Sequence, residues 1–406
     1  MRRYALAGLA WMAAATAWGE PVKISERFGF DPADSTRFIQ QALDSGLPEI
    51  MLDEKGAPWI TCPLKGRSNQ TLYFADGVVL QAKKGEFRGK DDILLCYRHA
   101  TNIAVVGMGR SGGTIRMRKA DYLQPPYERA EWRHAIHIGN TSSFRIENML
   151  LAESGGDGIE IYGTACSNGV IRRVTCDANC RQGISVCSAK HLLIEDCVLK
   201  NTKGLPPEAG IDFEPDKPNH ELTDIVMRNC RVTGNAGNGI EFFTGCSCSK
   251  TVPFSVTVAD CVVVSNTISA RVGGGWWKRD NYPQGRITYT NCLFEASRRY
   301  AVSVDAKPVE AYVVEFLGCT AKDTNGGEAG TDVRLLNYAE NGVHTGGVVF
   351  RDCTFHQDSD RPWAKGVEVK KYLPEAFPGI EGDIRTVSPD GKVKELKLSV
   401  KQPSVL

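Results

Sequence analysis

Six of the fourteen cysteines recur on a clock. Cys197, Cys230, Cys261, Cys292, Cys319 and Cys353 follow one another at intervals of 33, 31, 31, 27 and 34 residues. Each comes directly after Asp196, Asn229, Asp260, Asn291, Gly318 or Asp352, and each ends a short β-rich run such as Leu192-Leu193-Ile194 or Val256-Thr257-Val258. A unit of this size cannot bury its own apolar face, so it must stack on copies of itself. Strands and turns with hardly any helical pattern between them predict an all-β, right-handed parallel β-helix solenoid in which each repeat is one rung. Inward residues on successive rungs then lie about 4.8 Å apart. The six cysteines read as a column of buried free thiols, because stacked strands do not present the geometry a disulfide requires.

The chain of 406 residues suits a solenoid, whose core grows with every coil. Lys and Arg number 49 against 48 Asp and Glu, so nothing in the charge balance points to nucleic acid or an anionic membrane. Residues 1–19 read as a signal peptide: Arg2-Arg3, an apolar stretch from Ala5 to Ala15, and Ala15-Thr16-Ala17 as the small-residue cleavage site. No later stretch is long enough to span a membrane. The expectation is a secreted protein, periplasmic or extracellular. Cys176 with Cys180, and Cys246 with Cys248, fall in turns and can pair or bind metal, but no histidine pair accompanies them.

Residues 20–356 form the expected β-helix domain. Asp34 caps a helix over 35–44, with Phe38, Ile39, Ala42 and Leu43 on one face, as the cover of the first coil. The loop 119–133 is longer than its neighbours, and regular coils run from His134 to about Phe355. Residues 357–406 lose the period and read as a carboxy-terminal tail or cap. The cap helix with its Asp34-Ser35-Thr36 start, together with the repeated strand-Asn/Asp-Cys turns, resembles the pectin lyase-like superfamily of parallel β-helix proteins. That resemblance implies secreted polysaccharide lyases, glycoside hydrolases and uronate epimerases, with adhesins and phage tailspikes as a minority; the fold alone does not choose among them.

A second strand recurs as Ala135-Ile136-His137-Ile138, Gly158-Ile159-Glu160-Ile161, Gly183-Ile184-Ser185-Val186, Gly210-Ile211-Asp212-Phe213 and Gly239-Ile240-Glu241-Phe242, at offsets of 23, 25, 27 and 29 residues. Side chains alternate along a strand. With the isoleucines inward, His137, Glu160, Ser185, Asp212 and Glu241 line one outward column, joined by Glu214 and, in the entering turns, by His134, Asp157 and Arg181. Asp212 and Glu241 fall about one rung apart, which pushes at least one proton affinity up. That division suits glycosidic cleavage, where one carboxyl is an acid and the other a base or nucleophile. The plainer reading is a solvated face. The catalytic candidates are Asp212, Glu214, Glu241, Glu160 and Arg181. His134, His137 and Asp157 are candidates for binding substrate. Trp132, beside Tyr127, and Trp276-Trp277 in the loop after Gly273-Gly274-Gly275 are candidates for stacking on sugar rings.

Arg181-Gln182-Gly183 is similar to an Arg-x-Gly turn of some alginate lyases and mannuronate epimerases of the superfamily, which implies that Arg181 neutralises a uronate carboxylate or assists proton abstraction. The Asn-x-Asp, Asp-Asp and Gly-His-Gly set of polygalacturonases is absent. The reading the residues favour is a secreted glycoside hydrolase acting on a polysaccharide. The alternative is a polysaccharide lyase or uronate epimerase whose acids hold Ca²⁺, and beyond it stands a non-catalytic glycan-binding or structural solenoid.

Overall fold

The computed structural model describes residues 20–274, 281–327, 330–337, 345–358, 361–368, 371–372 and 380–398. The signal segment and Trp276-Trp277 lie outside the described residues. The chain winds as a parallel β-helix. One flank is a ladder of strands running from Leu64–Lys65 through Ile136–Gly139, Ile159–Tyr162, Gln182–Val186, Ala209–Phe213 and Ile240–Phe243 to Ala364–Glu368. The other strands pair with those one coil away to make the remaining wall. Almost all pairing is parallel; Val367 with Tyr372 and the hairpin of Ile380–Val387 with Val393–Leu398 are antiparallel.

The register rests on the inward columns. Ile136, Ile159, Ile184, Ile211 and Ile240 stack rung upon rung and continue as Ala270, Val302 and Val333, all buried. Burying each isoleucine is worth roughly 1.5–3 kcal/mol. A slip of one residue would turn the whole column outward, so these positions pin the pairing. Farther along, Phe213 stacks on Phe242 at 4.5 Å, and Tyr289, Phe316 and Phe350 stack in series at 4.8 Å per step.

The cysteine period has a backbone cause. Asp196, Asn229, Asp260, Asn291, Gly318 and Asp352 all have φ between 51° and 63°. This left-handed corner is one that Asp, Asn and Gly adopt more readily than other residues. The next side chain is turned inward at the corner between two strands. The carbonyls of Cys197, Cys230, Cys261, Cys292 and Cys319 each accept, at 2.9 Å, the N–H of the residue after the next cysteine in the series. The thiols are therefore on adjacent rungs, and all fourteen cysteines are free. A separate buried ladder, Asn235 to Asn266 at 2.9 Å and both to interior carbonyls, satisfies the turns at the opposite corner.

Asp34 does receive the Thr36 N–H at 3.0 Å, and the helix Thr36–Asp44 turns Ile39, Ala42 and Leu43 into the first coil. At the other end the coil does not stop near Phe355. Ile380–Val387 pairs in parallel with Val348–His356 and then closes with its antiparallel partner, so the aperiodic tail carries a further rung and an edge cover. On the outer wall, Glu147, Arg172, Glu195 and Arg228 stand in register on four successive rungs with alternating sign. Arg172 meets Glu195 at 2.8 Å, and Arg228 meets it at 2.6 Å.

The stacked thiols generate a prediction. Under native, non-reducing conditions Cys230, Cys261 and Cys292 resist alkylation, and in denaturant each is alkylated without prior reduction. Substituting any of the three by Ala lowers stability by roughly 1–3 kcal/mol through the cavity left behind. Peptide mass spectrometry and urea unfolding check both points, and a disulfide between any two of the three contradicts the stack.

Candidate functional site

The strand register brings His137, Glu160, Ser185, Asp212, Glu241 and Arg271 into one outward column. A second row, not recognised as a unit from sequence, stands three residues before four of these on their own coils: His134, Asp157, Gln182 and Asn238, ahead of His137, Glu160, Ser185 and Glu241. It supplies partners to the first. His134 Nε2 lies 3.2 Å from Glu160 Oε2. Ser185 Oγ donates to Asp157 Oδ2 at 3.0 Å, Gln182 Nε2 donates to Asp212 Oδ2 at 3.0 Å, and Asn238 Nδ2 donates to Glu241 Oε2 at 2.7 Å. The Gln182 and Asn238 amides thus orient the acids that sequence reading had already picked out. Their signal in the sequence was their place two residues ahead of the inward isoleucine.

At the amino-terminal end of the face, Glu160 sits between two imidazoles. His137 Nδ1 is 2.5 Å from the same Oε2 that faces His134. Burial opposes ionisation of Glu160, but His134 and His137 together hold it well below the usual carboxylate range. Asp157 is different: burial pushes it up to about 6, against the pull of His134 and Arg181. His134 and Asp157 are 1% and 0% exposed, so neither lies open to a sugar as expected from sequence. The loop 119–133 covers them: a Cβ at Gly156 would stand 2.3 Å from the Glu131 carbonyl, and one at Gly155 would stand 2.7 Å from the Tyr122 ring. The glycines there let the loop close down on the turn.

In the middle of the face, Asp212 is 2% exposed, and its Oδ1 has no hydrogen-bond partner. Burial first, and then the neighbouring Glu241 and Glu214, hold its proton affinity well above the ordinary range, with Arg181 and Arg271 opposing. Glu214 is half-buried and takes Arg181 Nη2 at 3.1 Å. Its affinity is also raised, because burial outweighs the guanidinium. Asp216, two residues further and exposed, was missed from sequence. Glu241 is bound by Arg271, whose Nε reaches Asp305 Oδ2 at 2.9 Å. Arg334 closes the same network with Nη2 at 3.0 Å from Asp305 Oδ1. Asp305 therefore belongs to this face, although it sits on a later coil. Arg271 and Arg334 escaped the sequence reading because the Gly-Ile-acid pattern ends at Glu241.

The outward residue two beyond the main column is Tyr162 on one rung and Phe243 on another, with Glu214 between them. Both rings are half-buried. Trp132 is 53% exposed on the covering loop, whereas Tyr127 packs against Tyr122 at 5.2 Å and the core. Among the described residues no three His, Cys, Asp or Glu side chains converge as a metal ion requires. The acids are met by Arg181, Arg271, His134 and His137, so the donor set does not fit Ca²⁺. Among the described residues no helix is long and apolar enough to cross a membrane.

Comparison with known proteins agrees with this architecture. A family model described as the right handed beta helix region matches residues 131–255. The SPbeta prophage-derived uncharacterized protein YorA of Bacillus subtilis is 22% identical over 248 residues, which is 57% of this chain and 37% of that relative. An exopolygalacturonase from Thermotoga maritima superposes with a TM-score of 0.60 at 12% identity, covering 94% of this chain and 95% of the other. The A-module of the mannuronan C-5 epimerase AlgE4 of Azotobacter vinelandii gives 0.63 at 14%, covering 90% and 95%. The tailspike protein of E. coli bacteriophage HK620, solved with a pentasaccharide, gives 0.63 at 11%, covering 91% and 66%. This chain has the right-handed parallel β-helix fold. Among these neighbours the same fold carries carbohydrate-active enzymes and a tailspike.

The Glu160 cluster makes a pH prediction. A carboxylate whose folded affinity is depressed adds stability that is fully present above its unfolded value and is lost as pH falls through the folded value. Glu160→Gln is therefore expected to lower unfolding stability at pH 7 by roughly 1–3 kcal/mol. The gap from the wild type should narrow in acid below pH about 4. Denaturant titrations of both proteins at several pH values test it; a gap that stays constant into acid contradicts the assignment.

Proposed function

We propose that this protein is a secreted enzyme that hydrolyses the glycosidic bonds of a polysaccharide at the face around Asp212, Glu214 and Asp216. The carrying observation is the contrast between neighbours on one segment. Asp212 is buried with one oxygen unpartnered, Glu214 is half-buried and held by one guanidinium, and Asp216 is exposed. Burial raises the proton affinity of all three, that of Asp212 well above the ordinary range, and unequal affinities on one segment are what acid–base cleavage requires. Glu214 is the group that meets the glycosidic oxygen and gives it a proton. Asp212, whose proton affinity burial raises well above the ordinary range, favours the neutral form and so adds little second negative charge beside Glu214. Asp216, two residues beyond Glu214 and past the end of the strand, takes the proton of the attacking water. One water is consumed, the glycosidic C–O bond breaks and a new reducing end forms. Tyr162 and Phe243 offer apolar ring faces to the sugars on either side of Glu214. Export follows from the reading of residues 1–19 as a signal peptide.

A second reading is supported by Arg181 and Arg271, whose charges both act on Asp212 and whose guanidinium groups match the carboxylate of a uronate in a lyase or epimerase. The third is glycan binding without cleavage. Glu214→Gln and Asp216→Asn are each expected to reduce turnover by roughly 10²-fold or more with the fold intact. Asp212→Asn, which mimics the protonated acid, should cost less. Release of reducing ends across a panel of polysaccharides measures this. Rising ultraviolet absorbance from unsaturated uronides would mark a lyase instead. Binding without either signal would leave the non-catalytic reading, and near-full activity in both Glu214→Gln and Asp216→Asn would return the face to solvated surface.

A further inference from the structure

Three acids from three segments share Arg181. Its Nε is 3.3 Å from Glu131 Oε2 in the covering loop, its Nη1 is 3.9 Å from Asp157 Oδ2 in the entering turn, and its Nη2 is 3.1 Å from Glu214 Oε2. One positive charge cannot neutralise three carboxylates. Whichever ionises later does so beside a cation already engaged.

The proton positions around Asp157 follow from its contacts. The backbone N–H of Asp157 donates to His134 Nδ1 at 3.0 Å, so that nitrogen presents a lone pair and the ring proton sits on Nε2, toward Glu160. The same Nδ1 lies 3.3 Å from Asp157 Oδ2. While the ring is neutral, a charged oxygen facing that lone pair is disfavoured; a second proton on the ring reverses this and gives the pull of His134 that opposes burial at Asp157. Ser185 Oγ, donating to Oδ2 at 3.0 Å, favours the anion, while Oδ1 has no partner. The titratable and charged groups around Asp157 are His134 from the preceding coil, Glu160 on its own strand, Arg181 from the following turn, and the thiols of Cys176, Cys180 and Cys187. The thiols stay neutral, since burial raises all three. Asp157 is thus poised between two states with Arg181 as its available cation, His134 being spent on Glu160.

We infer that Asp157 is a positioning residue that acts through Arg181: it competes with Glu214 for the one guanidinium and so sets how tightly Glu214 holds its proton. This rests on the proposed role of Glu214 as the acid of the face. With Asp157 neutral, Arg181 acts on Glu214 and Glu131, with Asp212 and Asp216 also in its field, and Glu214 gives up its proton more readily. With Asp157 ionised, the guanidinium is shared, and the second anion makes Glu214 hold its proton to higher pH. The coupling is reciprocal, so neutralising either acid lowers the proton affinity of the other.

The test needs no substrate. Protein labelled with carbon-13 at the aspartate and glutamate side-chain carboxyls is titrated by NMR, with Asp157→Asn and Glu214→Gln supplying the assignments. The higher of the two midpoints is expected to fall by about one pH unit when the other acid is replaced by its amide, the order of effect that a nearby like charge exerts. In Arg181→Gln both midpoints should rise. If Asp157→Asn does not fold, Ser185→Ala takes its place. Loss of its hydroxyl should raise the Asp157 midpoint and lower that of Glu214. Midpoints that stay put in folded variants overturn the inference. The reducing-end assay on Glu214→Gln judges the catalytic reading separately, so either can fail while the other stands.

Discussion

Everything in this molecule depends on the parallel, in-register backbone ladder between coils. It places each residue about 4.8 Å from its counterpart one coil away. An inward column can therefore repeat the same residue indefinitely, as the isoleucines from Ile136 to Ile240 do, because apolar side chains gain from identical neighbours. An outward column of charged groups cannot, since like charges directly opposite one another destabilise a sheet.

The outer wall and the candidate face answer that constraint differently. On the wall, Glu147, Arg172, Glu195 and Arg228 alternate in sign rung by rung, which is what a column selected for stability should do. On the face, Asp212 and Glu241 are directly opposite, and Glu214 is close by. The molecule answers by raising the proton affinity of Asp212 and by supplying Arg271 to Glu241 and Arg181 to Glu214. Two acids retained directly opposite one another, one of them buried with a raised proton affinity, are hard to explain as scaffold. They are what proton transfer between groups of unequal affinity would use.

The irregular segments complete the face. The loop 119–133 departs from the repeat length, and it lays Glu131 beside Arg181 and seals His134 and Asp157 from solvent. A regular solenoid would leave those turns wet. Burial there converts two ordinary polar residues into a cluster whose protonation answers to its neighbours, and Arg181 carries that response to Glu214.

Sequence alone carried the coil period, the inward isoleucine and cysteine columns and the outward line from His137 to Glu241. All of these follow from alternation along a strand and from repetition at fixed spacing, which are local. It also determined that Asp212 and Glu214 share a strand face. Only the tertiary structure decided which of these groups are covered, which cation each acid meets, and that Gln182, Asn238, Arg271, Asp305 and Asp216 belong with them. Those facts depend on loops of unequal length folding over the coils and on pairings between residues 23 to 34 positions apart. The same lack of periodicity hid the last rung at Ile380–Val387, whose place was set by pairing with Val348–His356 rather than by any repeat in its own residues.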